Sequence, residues 1–239
     1  MLAVRAPNQT VRSWKDFFVQ IATIAVGLLI ALGAESGAEW LHWRHQGQIG
    51  ERALKADFSR FVQQRGEQVA ATQCIAARLA ELRAIVEAGA QNGRLGEIGP
   101  IPLPPPQPWE ITSWDTMVAS QAATHLQQEQ MLRYAEVAHW AKDAHEAGVT
   151  ESETWAILAS LSGPPRRFSD AEQARLRADI ARAAHFSWLI RVITKTTEGV
   201  IAETGLLTAD ELEAERTEGA HSEGLARICT PIAYKPVAD

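Results

Sequence analysis

Residues 17–34 read FFVQIATIAVGLLIALGA, eighteen consecutive positions without a charged side chain. At 1.5 Å per residue a helix over this run covers about 27 Å, and continuing it to Ala38 exceeds the roughly 30 Å hydrocarbon thickness of a bilayer. Trp14 precedes the run, and Trp40 and Trp43 follow it, where amphipathic rings favour the two headgroup zones. The reading is a transmembrane helix over 17–38, with Trp14, Trp40 and Trp43 at the membrane interfaces. An internal helix of a small soluble protein rarely stays uncharged for about five turns.

A cleavable export signal is the competing reading. Arg5, Arg12 and Lys15 precede the run, and Ala31, Leu32 and Gly33 offer a peptidase small residues. Its hydrophobic region is long for that class, and the helical pattern continues past the cut. Both readings export the remainder of the chain. Three basic residues lie before the span, against Arg44 and Arg52 after it, so the positive-inside rule places residues 1–16 in the cytoplasm by a margin of one. A cytoplasmic segment that short has no room for an output domain.

Net charge is −6 over 239 residues, with 46% hydrophobic. The chain can bury one sizeable core, or a moderate core with appendages. Nothing in that balance supports wrapping nucleic acid. Cys74 and Cys229 are the only cysteines. They suit one disulfide in an oxidising compartment, worth about 5 kcal/mol at most by chain entropy. Two buried free thiols are the other reading.

The run WKDFFVQIATIAVGLLIALGAESGAEWLHWR, with its GLLIAL core and Trp-containing charged continuation, resembles the N-terminal anchor of a large group of uncharacterised bacterial single-pass envelope proteins. The resemblance covers about the first 80 residues, including Cys74-Ile75 and Arg78-Leu79. It implies topology and helical content, with no assigned activity. The expected location is therefore a bacterial inner membrane, N-terminus cytoplasmic and main domain periplasmic.

Residues 39–88 keep helical character, threaded through Leu54, Phe58, Phe61, Ile75, Leu79, Leu82 and Val86. Arg65, Gln68 and Thr72 interrupt this stripe, so a long helix docking on a bundle fits better than a sustained coiled coil. Residues 89–112 read as a linker, because 89–108 hold six prolines and four glycines. Three hydroxyl-to-carboxylate pairs, Thr150 with Glu153, Ser169 with Glu172 and Thr208 with Glu211, predict capped helix starts near Glu151, Asp170 and Ala209. Further helices are expected over 114–125 and 128–147, with Gly148, Gly163-Pro164-Pro165 and Gly205 as stops. The helix from Asp170 to Thr204 carries a stripe of Leu176, Ile180, Ala184, Ile190, Ile193, Thr197 and Ile201. No strand alternation competes, and 221–239 reads as an irregular tail. The fold class is all-α: one transmembrane helix, a long helix, and a small helical bundle over 113–220.

Chemistry is sparse. Glu39, His42 and His45 share a spacing that could approach one helix face, but they also read as headgroup-level polar residues. His139 and His145 fall on different faces. There is no nucleophile elbow, no CxxC and no phosphate-cradling glycine loop. No catalytic residue, metal site or cofactor is expected. Trp109, Trp114, Trp140, Trp155 and Trp188 could line a groove, although core packing is the commoner use of that side chain. Gly33 and Gly37 form a GxxxG at the end of the span, and Gly27, Ala31, Ala34 and Ala38 trace a small-residue face along it suited to close helix approach.

The leading expectation is a non-enzymatic anchored protein that works through protein partners or self-association in the bilayer, as an accessory or scaffolding subunit. A small-molecule ligand is not expected on this reading. A sensor-like ligand-binding module acting through a partner is the alternative, and an enzyme assembled from residues distant in sequence stands third.

Overall fold

The structure, a computed structural model, describes residues 14–222 and 224–237. Most of the expected cytoplasmic segment 1–16 lies outside them, including Arg5 and Arg12. The chain divides into two compact units, Met1–Gln48 and Ile49–Asp239.

Helix α1 runs Trp14–Asn92 without a proline. In the first unit its apolar residues are uncovered: Phe18, Ile24, Leu28, Leu29, Ile30 and Leu32 are all exposed. Among the described residues this is the helix long and apolar enough to cross a membrane, by length and composition.

The second unit begins where burial begins. Leu54, Phe58, Phe61, Ile75, Leu79, Leu82 and Val86 of α1 are all buried, as their spacing requires. The helix passes the expected end at 88 and stops at Gly93, whose φ of 62° is the left-handed conformation that closes helices.

The segment expected to be a linker is instead a packed strap. Arg94–Leu95 (β1) pairs antiparallel with Arg166–Arg167 (β3), and Glu97–Ile98 (β2) with Tyr234–Lys235 (β4). These two-residue pairs are too short for alternation to reveal them. They pair the backbone at the start of the strap, ahead of its prolines. Leu95, Ile98, Ile101, Trp109 and Ile111 anchor the strap by burial. A Cβ on Gly96 would lie 2.0 Å from the Lys235 carbonyl oxygen, so the strap meets the C-terminal strand there only as glycine.

Helix α2 is Thr112–Ala119, shorter than expected, and is followed by a 3-10 turn, Ala122–His125. Its apolar N-cap, Ile111, offers no capping group. Asp57 of α1 replaces it, accepting from the Ser113 amide at 2.9 Å and the Ser113 hydroxyl at 2.7 Å.

Helix α3 is unbroken over Gln128–Ala159, which corrects the expected stop at Gly148 and start at Glu151. The Thr150 hydroxyl donates back to the Glu146 carbonyl at 3.1 Å, as interior threonines do, and caps nothing. Gly148 serves packing: a Cβ there would touch the buried Trp109 ring at 3.4 Å.

The other two caps form. Ser169 accepts from the Glu172 amide at the start of α4 (Asp170–Thr204), and Thr208 with Glu211 makes a reciprocal box at the start of α5 (Ala209–Ala220). Gly205, at φ 71°, ends α4. Helices α1 and α5 cross so closely that a Cβ on Gly219 would lie 1.9 Å from the Gln63 carbonyl oxygen, and one on Gly66 2.3 Å from that of Arg216.

The tail expected to be irregular carries α6, Gly224–Ile228, and β4. Cys229 joins Cys74 of α1 with the sulfurs 1.95 Å apart. Arg78 donates to the Cys229 carbonyl at 3.3 Å, and Glu81 accepts the Ile232 amide at 2.9 Å.

Candidate functional site

The second unit holds two apolar clusters. One gathers Leu54–Val62 of α1 with Trp109, the Tyr134–Ala147 face of α3 and the Ile190–Ile201 face of α4. The other gathers Ala71–Val86 of α1 with Trp155, Leu158, the Leu176–Ala183 face of α4, and Ile228 and Ile232.

Between them each of the three helices contributes polar residues: Arg65 and Gln68 on α1, Glu151 and Ser152 on α3, and Ser187 on α4. Part of this layer is satisfied within the protein. The Thr194 hydroxyl donates to Gln68 Oε1 at 3.1 Å. Glu198 pairs with both Arg65 and Arg216 at 2.6 Å.

The rest opens into a cavity of about 620 Å³, inside the size range of small-molecule sites. Gln68, Ala71 and Ile75 of α1 floor it, together with Glu151 and Trp155 of α3 and Ser187 and Ile190 of α4, and Ser152 of α3 stands at its rim. The strap, from Pro100 through Gln107, forms one wall. Gly224, Arg227 and Thr230 of the C-terminal segment form another.

Glu151 is the unusual group. Burial pushes its carboxyl up to about 7, opposed only by the Ser187 hydroxyl; no cation contributes. Its Oε1 and the Trp155 Nε1 are buried without hydrogen-bond partners among the described residues. A donor and one carboxyl oxygen left without partners one turn apart in a helix carry a desolvation cost.

Two tethers hold the walls. Glu67 accepts from Gln107 of the strap and from Ser222 ahead of α6, and the disulfide fixes the end of that segment to α1. Trp109 adopts φ 50° at the foot of the strap, held by a tilted contact with Phe61, ring centres 5.1 Å apart and planes inclined at 59°. His145 of α3 bonds the Pro108 carbonyl beside it.

Of the residues singled out in sequence, Trp109 and Trp155 reach the cavity, whereas Trp114, Trp140 and Trp188 do not. Trp14 and Trp40 are exposed on α1; Trp43 is half-buried, its Nε1 donating to Glu39 at 3.5 Å. Gly27, Gly33 and Gly37 have nothing within 4 Å of a Cβ built on them, and Ala31 is exposed. His42 and His45 stay at the surface, and among the described residues no three His, Cys, Asp or Glu come together as a metal site.

Glu151, Ser187 and Arg227 were missed. The available signal was Arg65, Gln68 and Thr72 breaking the α1 stripe, which shows a polar layer without showing what faces it.

These features define a class: a mostly helical chain with, among its described residues, a helix long and apolar enough to cross a membrane and a helical unit that holds a largely apolar cavity lined by a carboxyl without a cationic partner. No family model matches the chain, and no curated protein or solved structure matches it.

Proposed function

We propose that this chain is a membrane-anchored ligand-binding protein, its Ile49–Asp239 unit a helical bundle that receives a small molecule in the cavity between its two apolar clusters. The carrying observation is that Gln68 of α1, Glu151 of α3 and Ser187 of α4 bring polar groups to one cavity between the two apolar clusters, where Glu151 Oε1 and Trp155 Nε1 are unpartnered. This replaces the expectation that no small molecule is bound. Anchoring rests on the exposed apolar run of α1. Placement of the bundle in a bacterial periplasm, with the N-terminus cytoplasmic, is supported by the Cys74–Cys229 disulfide, which favours an oxidising compartment.

A thermal-shift screen of small metabolites on the detergent-solubilised chain tests the reading. A ligand at a hundred times its Kd should add about 2.7 kcal/mol to stability. Ser152 is exposed on the cavity rim, so Ser152→Trp should block the site, leave the core intact and abolish the shift. Compounds that stabilise wild type and Ser152→Trp equally would refute the cavity as the site.

Association through the bilayer is a second activity, favoured by uncovered small residues on two sides of the span, Gly33 with Gly37 on one and Gly27 with Ala31 on the other. Such contacts would join the module to a copy of itself or to a membrane partner that it serves as an accessory subunit. Crosslinking in membranes should give a dimer or heteromer that Gly33→Ile with Gly37→Ile removes. Unchanged crosslinking would reject this face.

A further inference from the structure

We infer that the cavity selects an organic cation, a small amine with an apolar body, whose ammonium group pairs with Glu151. The inference rests on the cavity being a ligand site and names the ligand's chemical class.

Among the described residues two ionisable side chains line the cavity, Glu151 and Arg227. Arg227 is exposed on α6, where water already solvates its charge, so an anion gains little there. The Glu151 carboxyl is largely withdrawn from water, and one of its oxygens has no partner. The ion pairs of the second unit join other residues, and none reaches Glu151 among those described. A cation brought by the ligand supplies the counter-charge the fold omits, in surroundings of low dielectric where a charge-assisted bond is strongest. An anionic ligand would instead face that carboxyl across the apolar floor.

The remainder of the lining fixes the ligand's body. Ile75, Ile101, Leu103 and Ile190 with the Pro100–Pro106 wall make an apolar surface. Trp155 Nε1 is a donor in want of an acceptor, so a hydroxyl or carbonyl oxygen near the amine would be recognised as well. The strap's prolines restrict the backbone of that wall before any ligand arrives, which lowers the ordering cost of binding.

Benzylamine, benzyl alcohol and benzoate present one ring with positive, neutral and negative substituents. Titrated into the full chain in detergent micelles at about pH 8, where a carboxyl of ordinary or moderately raised pKa is ionised, they are read by calorimetry and by tryptophan fluorescence. Benzylamine should bind at least about tenfold tighter than benzyl alcohol, and benzoate weakest. Glu151→Gln keeps the side-chain shape and should bring benzylamine and benzyl alcohol to within about threefold of each other, with Ser152→Trp weakening all three. Equal or tighter binding of benzyl alcohol or benzoate in the wild type, blocked by Ser152→Trp, would overturn the cation preference while leaving the cavity a ligand site. Retention of the benzylamine preference in Glu151→Gln would overturn the role of that carboxyl. Absence of binding by all three would overturn the ligand-site reading and this inference together.

Discussion

At the scale of single residues, Glu151 ties stability to pH. Its carboxyl rises from 4.5 to about 7 in the folded protein because burial disfavours the charged form. A group that holds its proton more tightly when folded lends stability while both states are protonated. That contribution is lost as pH climbs from the unfolded value through the folded one. The interval corresponds to about 3 kcal/mol, gone above neutrality. Glu151→Gln carries no such proton, so its stability should fall less between pH 5 and pH 8 than the wild type's, by up to about 3 kcal/mol. Urea unfolding of both proteins at the two pH values measures this. Equal losses would show that Glu151 is solvated in the folded state. The carboxyl therefore weakens the protein at neutral pH.

At the scale of elements, α5 and α3 show how far sequence reading reaches. Thr208 with Glu211 and Thr150 with Glu153 carry the same local pattern, yet only the first opens a helix. Leu206 and Leu207, just ahead of Thr208, pack onto the first cluster, and Gly205 ends α4 before them. Around Thr150, by contrast, Ala147, Thr154 and Trp155 are buried on one continuous face, and that packing outweighs the cap. Thr208→Ala should cost about 1 kcal/mol. Thr150→Ala should change stability by less than about 0.5 kcal/mol, because it gives up only a bond back to its own helix. Equilibrium unfolding of the two variants checks the contrast; equal costs would contradict the continuity of α3. The stripes on α1 and α4 were legible because each is written within one helix. The strap and the cavity were not, since two-residue strands leave no periodicity, and the register that brings Gln68, Glu151 and Ser187 to one level lies in packing between helices.

At the scale of the whole molecule, two features make opposite demands on the surroundings. The Cys74–Cys229 disulfide closes 155 residues of chain, so its removal should cost at most about 5 kcal/mol. Reduction frees the end of the α6 wall, and ligand binding should weaken with it, measured by repeating the titration in dithiothreitol and with Cys229→Ser. An unchanged affinity would place the ligand away from that wall. The apolar run of α1 demands the reverse of an aqueous oxidising space: Leu28, Leu29, Ile30 and Leu32 stand more than half exposed, and a continuous greasy helix of this size does not persist in water. Hydrocarbon satisfies it, with Trp14 and Trp40 free to sit at headgroup level. The native chain should therefore stay with the membrane fraction through an alkaline carbonate wash that strips peripheral proteins. Replacing Leu28, Leu29 and Ile30 by lysine, each costing roughly 3 kcal/mol at the centre of a span, should release it. The same three substitutions should leave the disulfide and the unfolding midpoint of Ile49–Asp239 unaltered if export is preserved, and should leave both cysteines reduced if the span is also what carries the chain across. Recovery of the wild-type chain in the soluble fraction would remove the anchor and, with it, the reason to look for the ligand at a membrane surface.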